Sequence, residues 1–248
     1  METAQTHSFR FFTTRRKDQW WLGPLTTGLV LGSWVIYATW AAFQGNHYEF
    51  GPYLSPFYSP LILVDWWNFS PALLILWAPG GFRLTCYYYR KAYYRAFVLD
   101  PPACAVGDAR NHPYLGETSF PLIFQNAHRF FLYVALVFNM ILFYDAIKAF
   151  RFEGGFGAGV GSLVLTVNAF LLCGYSFSCH CFRHLVGGGV DCFSCEKFGG
   201  AKFKAWRFAS FMNERHMLWA WVSLFWVGFS DIYIRLCSMG IWTDFRFF

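Results

Sequence analysis

Long apolar runs separated by short polar or basic segments dominate the sequence. Five of these runs approach the roughly 20 residues that a helix needs to cross the hydrocarbon core of a membrane. They cover about residues 23–43, 61–84, 126–147, 162–184 and 216–237. The pattern predicts an all-α integral membrane bundle of five transmembrane helices that forms one domain over residues 1–248. Pro71 and Pro79 should kink the second span, which membrane helices tolerate better than soluble ones.

The segments between the runs predict different local structures. Residues 44–60 contain three Pro and no Lys or Arg, which indicates a rigid loop. Residues 86–95, with the sequence CYYYRKAYYR, predict an interfacial helix between the second and third spans. Residues 154–161 form a glycine-rich connector, and residues 197–213 a basic, aromatic surface segment.

The basic residues predict which side of the membrane each segment faces. With five spans, only Lys148, Arg151, Arg235 and Arg246 fall on one side, which leaves 16 of the 20 Lys and Arg residues on the other. The positive-inside rule therefore predicts a multi-pass protein of the cell membrane with a cytoplasmic N-terminus. The basic tail that contains Arg10 would face the same compartment.

Composition supports a membrane location over a soluble one. Charged residues make up 14% of the chain, whereas soluble proteins contain about 25%. Aromatic residues reach 23%, and Trp and Tyr are enriched where lipid meets water. Because the net charge of +6 follows the positive-inside distribution, we expect lipid and no nucleic acid as a partner.

Residues 178–195, SCHCFRHLVGGGVDCFSC, concentrate four of the eight cysteines and two histidines, and we call them the Cys/His knot. His180 and His184 are four residues apart, so both imidazoles would project from one helix face. Cys192 and Cys195 have chelating spacing. Because the cytoplasm is reducing, we expect thiols or metal ligands here, not a structural disulfide.

The residue types in the knot leave the bound group open. Two thiolates and two imidazoles suit a structural zinc ion, and the same donors suit a Rieske-type [2Fe–2S] cluster. His216, which opens the last apolar run, is a further candidate ligand. Haem b is a third possibility, because four histidines would lie near the same ends of neighbouring spans. These are His128, His180, His184 and His216.

Four ionisable residues fall inside the predicted spans: Asp65, Asp145, Asp231 and Arg235. A charge at the bilayer centre costs about 2.5–3.5 kcal/mol, so these side chains should face the bundle interior and pair. Asp231 and Arg235 are four apart and predict an ion pair on one helix face. Arg235 is expected to join helices, whereas Asp65, Asp145 and Asp231 could also serve a proton path or a quinone pocket.

Four motifs between Gly174 and Asp244 carry a family resemblance: GYSFSCHCFRHLVGG, DCFSC, NERHMLWAWVSLFW and DIYIRLCSMGIWTD. With the loop HYEFGPYLSPFYSP and the five-span plan, they resemble the membrane anchors of succinate:quinone oxidoreductases (respiratory complex II). More specifically, they are similar to the anchor of the actinobacterial-type succinate dehydrogenase. That group carries a membrane-embedded Rieske-type cluster where other anchors carry haem. The resemblance covers most of the chain from about Asn46.

The resemblance implies a non-catalytic subunit of an enzyme. A flavoprotein and an iron–sulfur subunit would dock on the cytoplasmic face, with room for a higher oligomer of the complex. Electrons from succinate would pass through the knot to a quinone, such as menaquinone. Cys192 and Cys195 would bind one iron and two of the histidines the other, with Cys179 in reserve. Those histidines are His180, His184 and His216.

Side chains near the knot could hydrogen-bond a quinone carbonyl. The candidates are His128, Arg129, Trp206 and Arg207. Two rival interpretations stay open: a haem-b anchor that reduces quinone, and a non-redox membrane scaffold whose knot binds zinc.

Overall fold

The computed structural model describes residues 14–100, 105–107, 116–120 and 122–248. Within these ranges the chain is mostly helical. Its α-helices are α1 (Leu22–Gln44), α2 (Ala72–Ile75), α3 (Trp77–Leu84), α4 (Tyr87–Tyr93), α5 (His128–Lys148), α6 (Val160–Phe177), α7 (His180–Gly187), α8 (Gly199–Asn213) and α9 (His216–Ser238). The basic tail around Arg10 lies outside the described residues.

Two short antiparallel hairpins interrupt the helices. The first pairs β1 (Glu49–Phe50) with β2 (Tyr53–Leu54), and the second pairs β3 (Arg151–Phe152) with β4 (Gly155–Phe156). Gly51 and Gly155 adopt positive φ angles of 55° and 117° in these hairpins, a backbone region that glycine enters without a steric penalty. The predicted rigid loop and glycine-rich connector therefore each contain a tight turn.

The chain forms two compact units. One comprises Met1–Ile36 and Leu84–Asn126, and the other comprises Tyr37–Arg83 and Ala127–Phe248. In the first unit, α4 forms within the stretch predicted to be an interfacial helix, and a π-helical turn follows it at Tyr94–Val98. An ion pair between Arg90 and Glu117 lies in the same unit. The position of α4 at the membrane interface stays a prediction.

Four helices among the described residues are long and apolar enough to cross a membrane: α1, α5, α6 and α9, with a 3₁₀ turn at Leu122–Ala127 extending α5 at its start. Each lies where the sequence predicts a span. The chain is therefore a multi-pass membrane protein with at least four such helices in its described part.

The second span predicted over residues 61–84, with kinks at Pro71 and Pro79, is helical only in its second half. Residues 61–71 are not helical, and the helical part is divided between α2 and the eight-residue α3. Backbone hydrogen bonds from the Leu76 N–H to Ala72 and from the Gly80 N–H to Leu76 connect α2 to α3. A helical stretch over residues 72–84 reaches about 20 Å, less than the hydrocarbon thickness of about 30 Å. Pro71 caps the start of α2, and a proline lacks the N–H that a helix interior requires. Asp65 is exposed and lies outside any helix, so its predicted place within a span is also wrong.

The predicted fourth span is too long at its end. Helix α6 stops at Phe177, and Cys179 has extended backbone angles before α7 begins at His180. The side chain of Asn213 donates a hydrogen bond of 2.7 Å to the Ser178 carbonyl, which satisfies a backbone group released by the break. His180 and His184 are therefore on a separate short helix.

In the second unit, α6 packs against both α5 and α9. Close approach depends on glycine, because a Cβ atom at Gly174 would overlap the indole of Trp219, and one at Gly161 would overlap the ring of Tyr53. The apolar core lies towards the two hairpins. It comprises Tyr53, Ala149, Val164, Leu165, Tyr233, Ile234 and Cys237.

The end of α5, α6 and α9 that lies beside the hairpins, which we call the hairpin end, holds a buried polar network. Asp231 is fully buried and forms an ion pair of 3.2 Å with Arg235, as the sequence predicts. Tyr37 and Ser55 donate hydrogen bonds to the same carboxylate. Arg235 also donates to the Asn46 carbonyl at 3.0 Å, so both charges have several partners.

Two further aspartate side chains accept hydrogen bonds at the hairpin end. Asp244 accepts hydrogen bonds from Tyr53 at 2.7 Å, from Tyr233 at 2.6 Å and from the Gly161 N–H at 3.0 Å. Asp145 accepts one from Ser59. These contacts join the first hairpin loop and the C-terminal segment to α5, α6 and α9.

Candidate metal centre

The histidine pair of the knot converges as its spacing predicts. His180 and His184 lie one turn apart on α7, and their Nε2 atoms are 3.0 Å from each other. Both side chains are exposed on this chain. Partial burial, then the nearby His184 and Arg183, lower the pKa of His180 below its usual value, which favours the neutral form that binds metals.

The cysteine pair is closed in the structure. Cys192 and Cys195 flank a 3₁₀ turn, their Cα atoms are 5.4 Å apart, and a disulfide joins their sulfur atoms. The expectation of free thiols is therefore wrong for Cys192 and Cys195, whereas Cys179 and Cys181 are free. The reason is geometric, since a tight turn with three-residue separation brings the Cα atoms within the 4.4–6.8 Å range of disulfides.

Trp206 of α8 supports both halves of the knot. The guanidinium of Arg183, on α7, lies 5.0 Å from the centre of the Trp206 ring. The ring of Phe193, between the two cysteines, lies 6.1 Å from the same indole. Gly187 also packs directly on this indole, where a Cβ atom would overlap it. One aromatic side chain therefore positions the helix that carries the histidines and the turn that carries the cysteines.

His216 takes a different position from the other predicted ligands. Its Nδ1 atom is 2.7 Å from the Ser178 hydroxyl, and its ring stacks on Tyr175 with centroids 5.3 Å apart. These contacts connect the start of α9 to the end of α6. Among the three candidate histidines of the relay, His180 and His184 are the two whose ring nitrogens meet.

A second group of metal-type donors was not predicted as a unit. The ligand atoms of His128, Cys179 and Cys181 all lie within 4.8 Å of one another, and it is the one such group of three in the described part of the chain. The predicted set of His180, His184, Cys192, Cys195 and His216 does not meet that criterion there. The sequence signal was the Cys-His-Cys run itself, whose two cysteines join His128 while His180 pairs with His184.

The group of His128, Cys179 and Cys181 is well buried. His128 is 8% exposed and Cys179 is 2% exposed, and the ring of His128 stacks on Phe82 at 4.7 Å. A hydrogen bond with the Cys179 sulfur, assisted by the charge of Arg129, lowers the pKa of the Cys181 thiol to about 7 although burial opposes this shift.

The predicted quinone contacts lie in two places. His128 and Arg129 are at the start of α5, where the Nε2 atom of His128 is 3.1 Å from the Cys179 sulfur. Arg129 is exposed. Trp206 and Arg207 belong to α8, and the guanidinium of Arg207 lies 5.9 Å from the centre of the exposed Phe203 ring.

Comparison with known proteins assigns the chain to a family. The family model described as "Actinobacterial succinate dehydrogenase subunit SdhC" matches residues 22–240. The chain belongs to this family. It is also similar to a chain of the Mycobacterium smegmatis Sdh1 complex in the apo form, with 41% sequence identity and a TM-score of 0.84. That match covers 95% of this chain and 94% of the other. No curated protein matches.

Membership in the SdhC family confirms the resemblance read from the sequence motifs. As an SdhC-type subunit, the chain is part of an oxidoreductase and works with the other succinate dehydrogenase subunits at a membrane. The matched region includes both donor groups and all four membrane-crossing helices.

Proposed function

We propose that this subunit relays electrons from an iron–sulfur subunit to a membrane quinone through a Rieske-type [2Fe–2S] centre. The proposed ligands are His180, His184, Cys192 and Cys195. The observation that carries the proposal is the convergence of the two imidazoles, whose Nε2 atoms are 3.0 Å apart. When bound, such a centre takes up and releases single electrons at a potential that histidine ligation raises.

The donor set fits this group in number and in kind. A Rieske-type centre requires two imidazoles on one iron and two thiolates on the other. The knot supplies one converged pair of each type, the cysteine pair as a disulfide. In their thiolate form, Cys192 and Cys195 would hold one iron, because the thiolate is the form of cysteine that binds metals.

The surrounding side chains would orient the ligands. Trp206 contacts both α7 and the cysteine turn through Arg183 and Phe193. Ser178, bound to His216 and Asn213, fixes the break from which α7 starts. Such contacts hold the ligand side chains in a fixed orientation, and groups that touch metal ligands also tune the metal.

The proposal also places the knot on the cytoplasmic side, beside a docked flavoprotein and iron–sulfur subunit. The distribution of Lys and Arg supports this orientation, and the exposure of His180 and His184 leaves them accessible to a docked partner. For the quinone, which we propose to be menaquinone, the candidate contacts are Arg129, Trp206 and Arg207. His128 is already directed at Cys179.

The test is EPR spectroscopy of the dithionite-reduced complex in mild detergent, with iron and acid-labile sulfide assayed on the same sample. We expect a rhombic Rieske-like signal that Cys195→Ser abolishes. Cys173→Ser is the matched control, because this half-buried cysteine of α6 belongs to neither donor group. Succinate-dependent reduction of a soluble dye should continue in both variants.

Two results would contradict the proposal. A low-spin haem spectrum with no rhombic signal would assign the redox role to haem b between histidines at the span ends. Retention of the rhombic signal in Cys195→Ser, with normal iron and sulfide, would exclude the cysteine pair as ligands.

A further inference from the structure

A cleft of about 350 Å³ opens between the end of α1 and the segment before α2, and its lining includes Gln44, Asn68 and Ser70. The hydrogen bond from Arg235 of α9 to the Asn46 carbonyl places the end of α1 at the hairpin end. The volume falls within the range of about 300–1,000 Å³ that is typical of small-molecule sites. The 18 residues of α6, about 27 Å of helix, separate this end from the knot. The cleft is therefore separate from the proposed relay.

Buried hydrogen bonds hold the two sides of the cleft together. Tyr58 is fully buried, and its hydroxyl donates to the Ala41 carbonyl at 2.8 Å. The same oxygen accepts hydrogen bonds from the Gly45 N–H at 3.0 Å and from the Ser70 hydroxyl at 3.2 Å. The indole of Trp67 donates to the Ser70 carbonyl at 3.1 Å. Because these contacts form the cleft in advance, a ligand would bind with little cost of ordering the protein.

The cleft lies at the depth of the lipid headgroups. Helix α1 ends at Gln44 after 23 residues, about 34 Å, which is enough to cross a hydrocarbon core of about 30 Å. Residues 61–69 are not helical, and such backbone is excluded from lipid-exposed hydrocarbon. Leu63 and Trp66 of this segment are 68% and 73% exposed, which suits the headgroup region, where Trp is enriched. The molecules that surround the cleft are therefore membrane lipids.

Charge and hydrogen-bonding capacity select the kind of headgroup. Residues 44–82 contain no Lys or Arg, and Arg235 is 3% exposed and already paired. An anionic headgroup would meet the exposed Asp65 without a free cation to balance it. Amide side chains both donate and accept hydrogen bonds, as sugar hydroxyls do. The exposed rings of Phe43 and Phe69, which also line the cleft, add apolar contact area for the C–H face of a sugar.

We propose that this cleft binds the sugar headgroup of an uncharged glycolipid. The amides of Gln44 and Asn68 exchange hydrogen bonds with the sugar hydroxyls, and the acyl chains enter the bilayer beside α1. The bound lipid joins the end of α1 to the segment before α2 and so stabilises the hairpin end. The site does not depend on the nature of the redox centre at the knot.

The experiment is native mass spectrometry of the intact complex in phosphatidylcholine nanodiscs, with and without monoglucosyl diacylglycerol. We expect one glycolipid retained per copy of this subunit and a higher Tm in its presence, because a ligand of the native state stabilises it. Gln44→Leu/Asn68→Leu should lower the retained glycolipid about tenfold and abolish the gain in Tm. Asn46→Leu is the matched control, since this exposed amide does not line the cleft and contacts Arg235 through its backbone carbonyl.

Other results would overturn the proposal. Absence of retained glycolipid in the wild type, or equal retention in the double variant, excludes the cleft as a sugar site. Retention of phosphatidylglycerol or phosphatidylethanolamine in preference to the glycolipid would show that the headgroup carries a phosphate. If the double variant does not assemble, wild-type complex in nanodiscs with equal amounts of glycolipid and phosphatidylglycerol decides alone, because the proposal requires the glycolipid to be preferred. His184→Ala should retain glycolipid even if it loses the rhombic EPR signal, so this proposal and the relay can fail separately.

Discussion

The two ends of α5, α6 and α9 use polar residues in opposite ways. At the hairpin end, each of the carboxylates Asp145, Asp231 and Asp244 accepts a hydrogen bond from a nearby hydroxyl group. At the other end, which carries the knot, imidazoles and sulfurs approach one another without an acid between them. His180 faces His184, and His128 faces Cys179.

This difference distinguishes a structural network from a binding site. Carboxylates matched by hydroxyl and guanidinium donors satisfy each other and need nothing further. Imidazoles and thiolates that converge share an ability to accept a metal ion and do little to stabilise each other. The hairpin end is therefore expected to determine stability, and the knot end to determine chemistry.

The largest expected effect is on stability at the hairpin end. Asp231→Ala leaves the buried Arg235 without its carboxylate, which should cost about 3–5 kcal/mol. We expect a severe loss of assembled complex in membranes, measured by the yield of intact complex. The double variant Asp231→Leu/Arg235→Leu should recover much of that yield, because it removes both charges. Equal yields from the single and double variants would argue against an uncompensated charge as the cause.

At the knot end, His184→Ala should impair chemistry and spare stability. Loss of one proposed ligand is expected to lower succinate-dependent quinone reduction roughly 100-fold, equivalent to about 2.7 kcal/mol, with little change in Tm. The comparison variant is His47→Ala, a histidine of the hairpin end 3.4 Å from Ser238, which should keep full activity. An equal loss of quinone reduction in His184→Ala and His47→Ala would contradict the difference between the two ends.

A moderate effect is expected where one hydrogen bond of the hairpin end is removed. Tyr233→Phe deletes the donor at 2.6 Å from Asp244 but leaves Tyr53 and the Gly161 N–H in place. The free energy of unfolding should fall by about 1 kcal/mol, measured as a decrease in Tm of the purified complex. Tyr144→Phe serves as control, since this side chain is 61% exposed; an equal decrease there would contradict the assignment.

The smallest effect is expected at an exposed ion pair of the knot end. Lys202 and Glu196 form a salt bridge in which both side chains are about two-fifths exposed. Lys202→Gln should cost about 0.5 kcal/mol or less, and the difference from wild type in Tm should vanish in high salt. A larger effect that persists in salt would give this end a structural role too.

The helices that could be predicted from sequence are those whose apolar run is long and continuous. The helices α1, α5 and α9 begin and end within about two residues of the predicted limits, apart from the α5 3₁₀ turn. The first half of the predicted span at residues 61–84 is not helical, because mean hydropathy does not register the lost N–H groups of Pro60 and Pro71. The end of α6 fails for a related reason, since the break at Cys179 depends on a hydrogen bond from Asn213, 35 residues away.

The candidate site was predictable only where its geometry is local. The spacing of His180 and His184 on one helix determines their convergence. The proximity of His128 to Cys179 instead depends on how α5 packs beside the end of α6, which no local pattern encodes. The ion pair of Asp231 and Arg235 again followed from i, i+4 spacing, whereas its partners Tyr37 and Ser55 come from distant segments.

The contact between Gly174 and Trp219 has a consequence for how this family can change. Any side chain larger than hydrogen at position 174 collides with the indole of Trp219. Any smaller residue at position 219 loses the packing of that indole on Gly174. A substitution at either position alone is therefore expected to destabilise the packing of α6 against α9. The two positions should be inherited as a unit, changing together across related sequences or not at all.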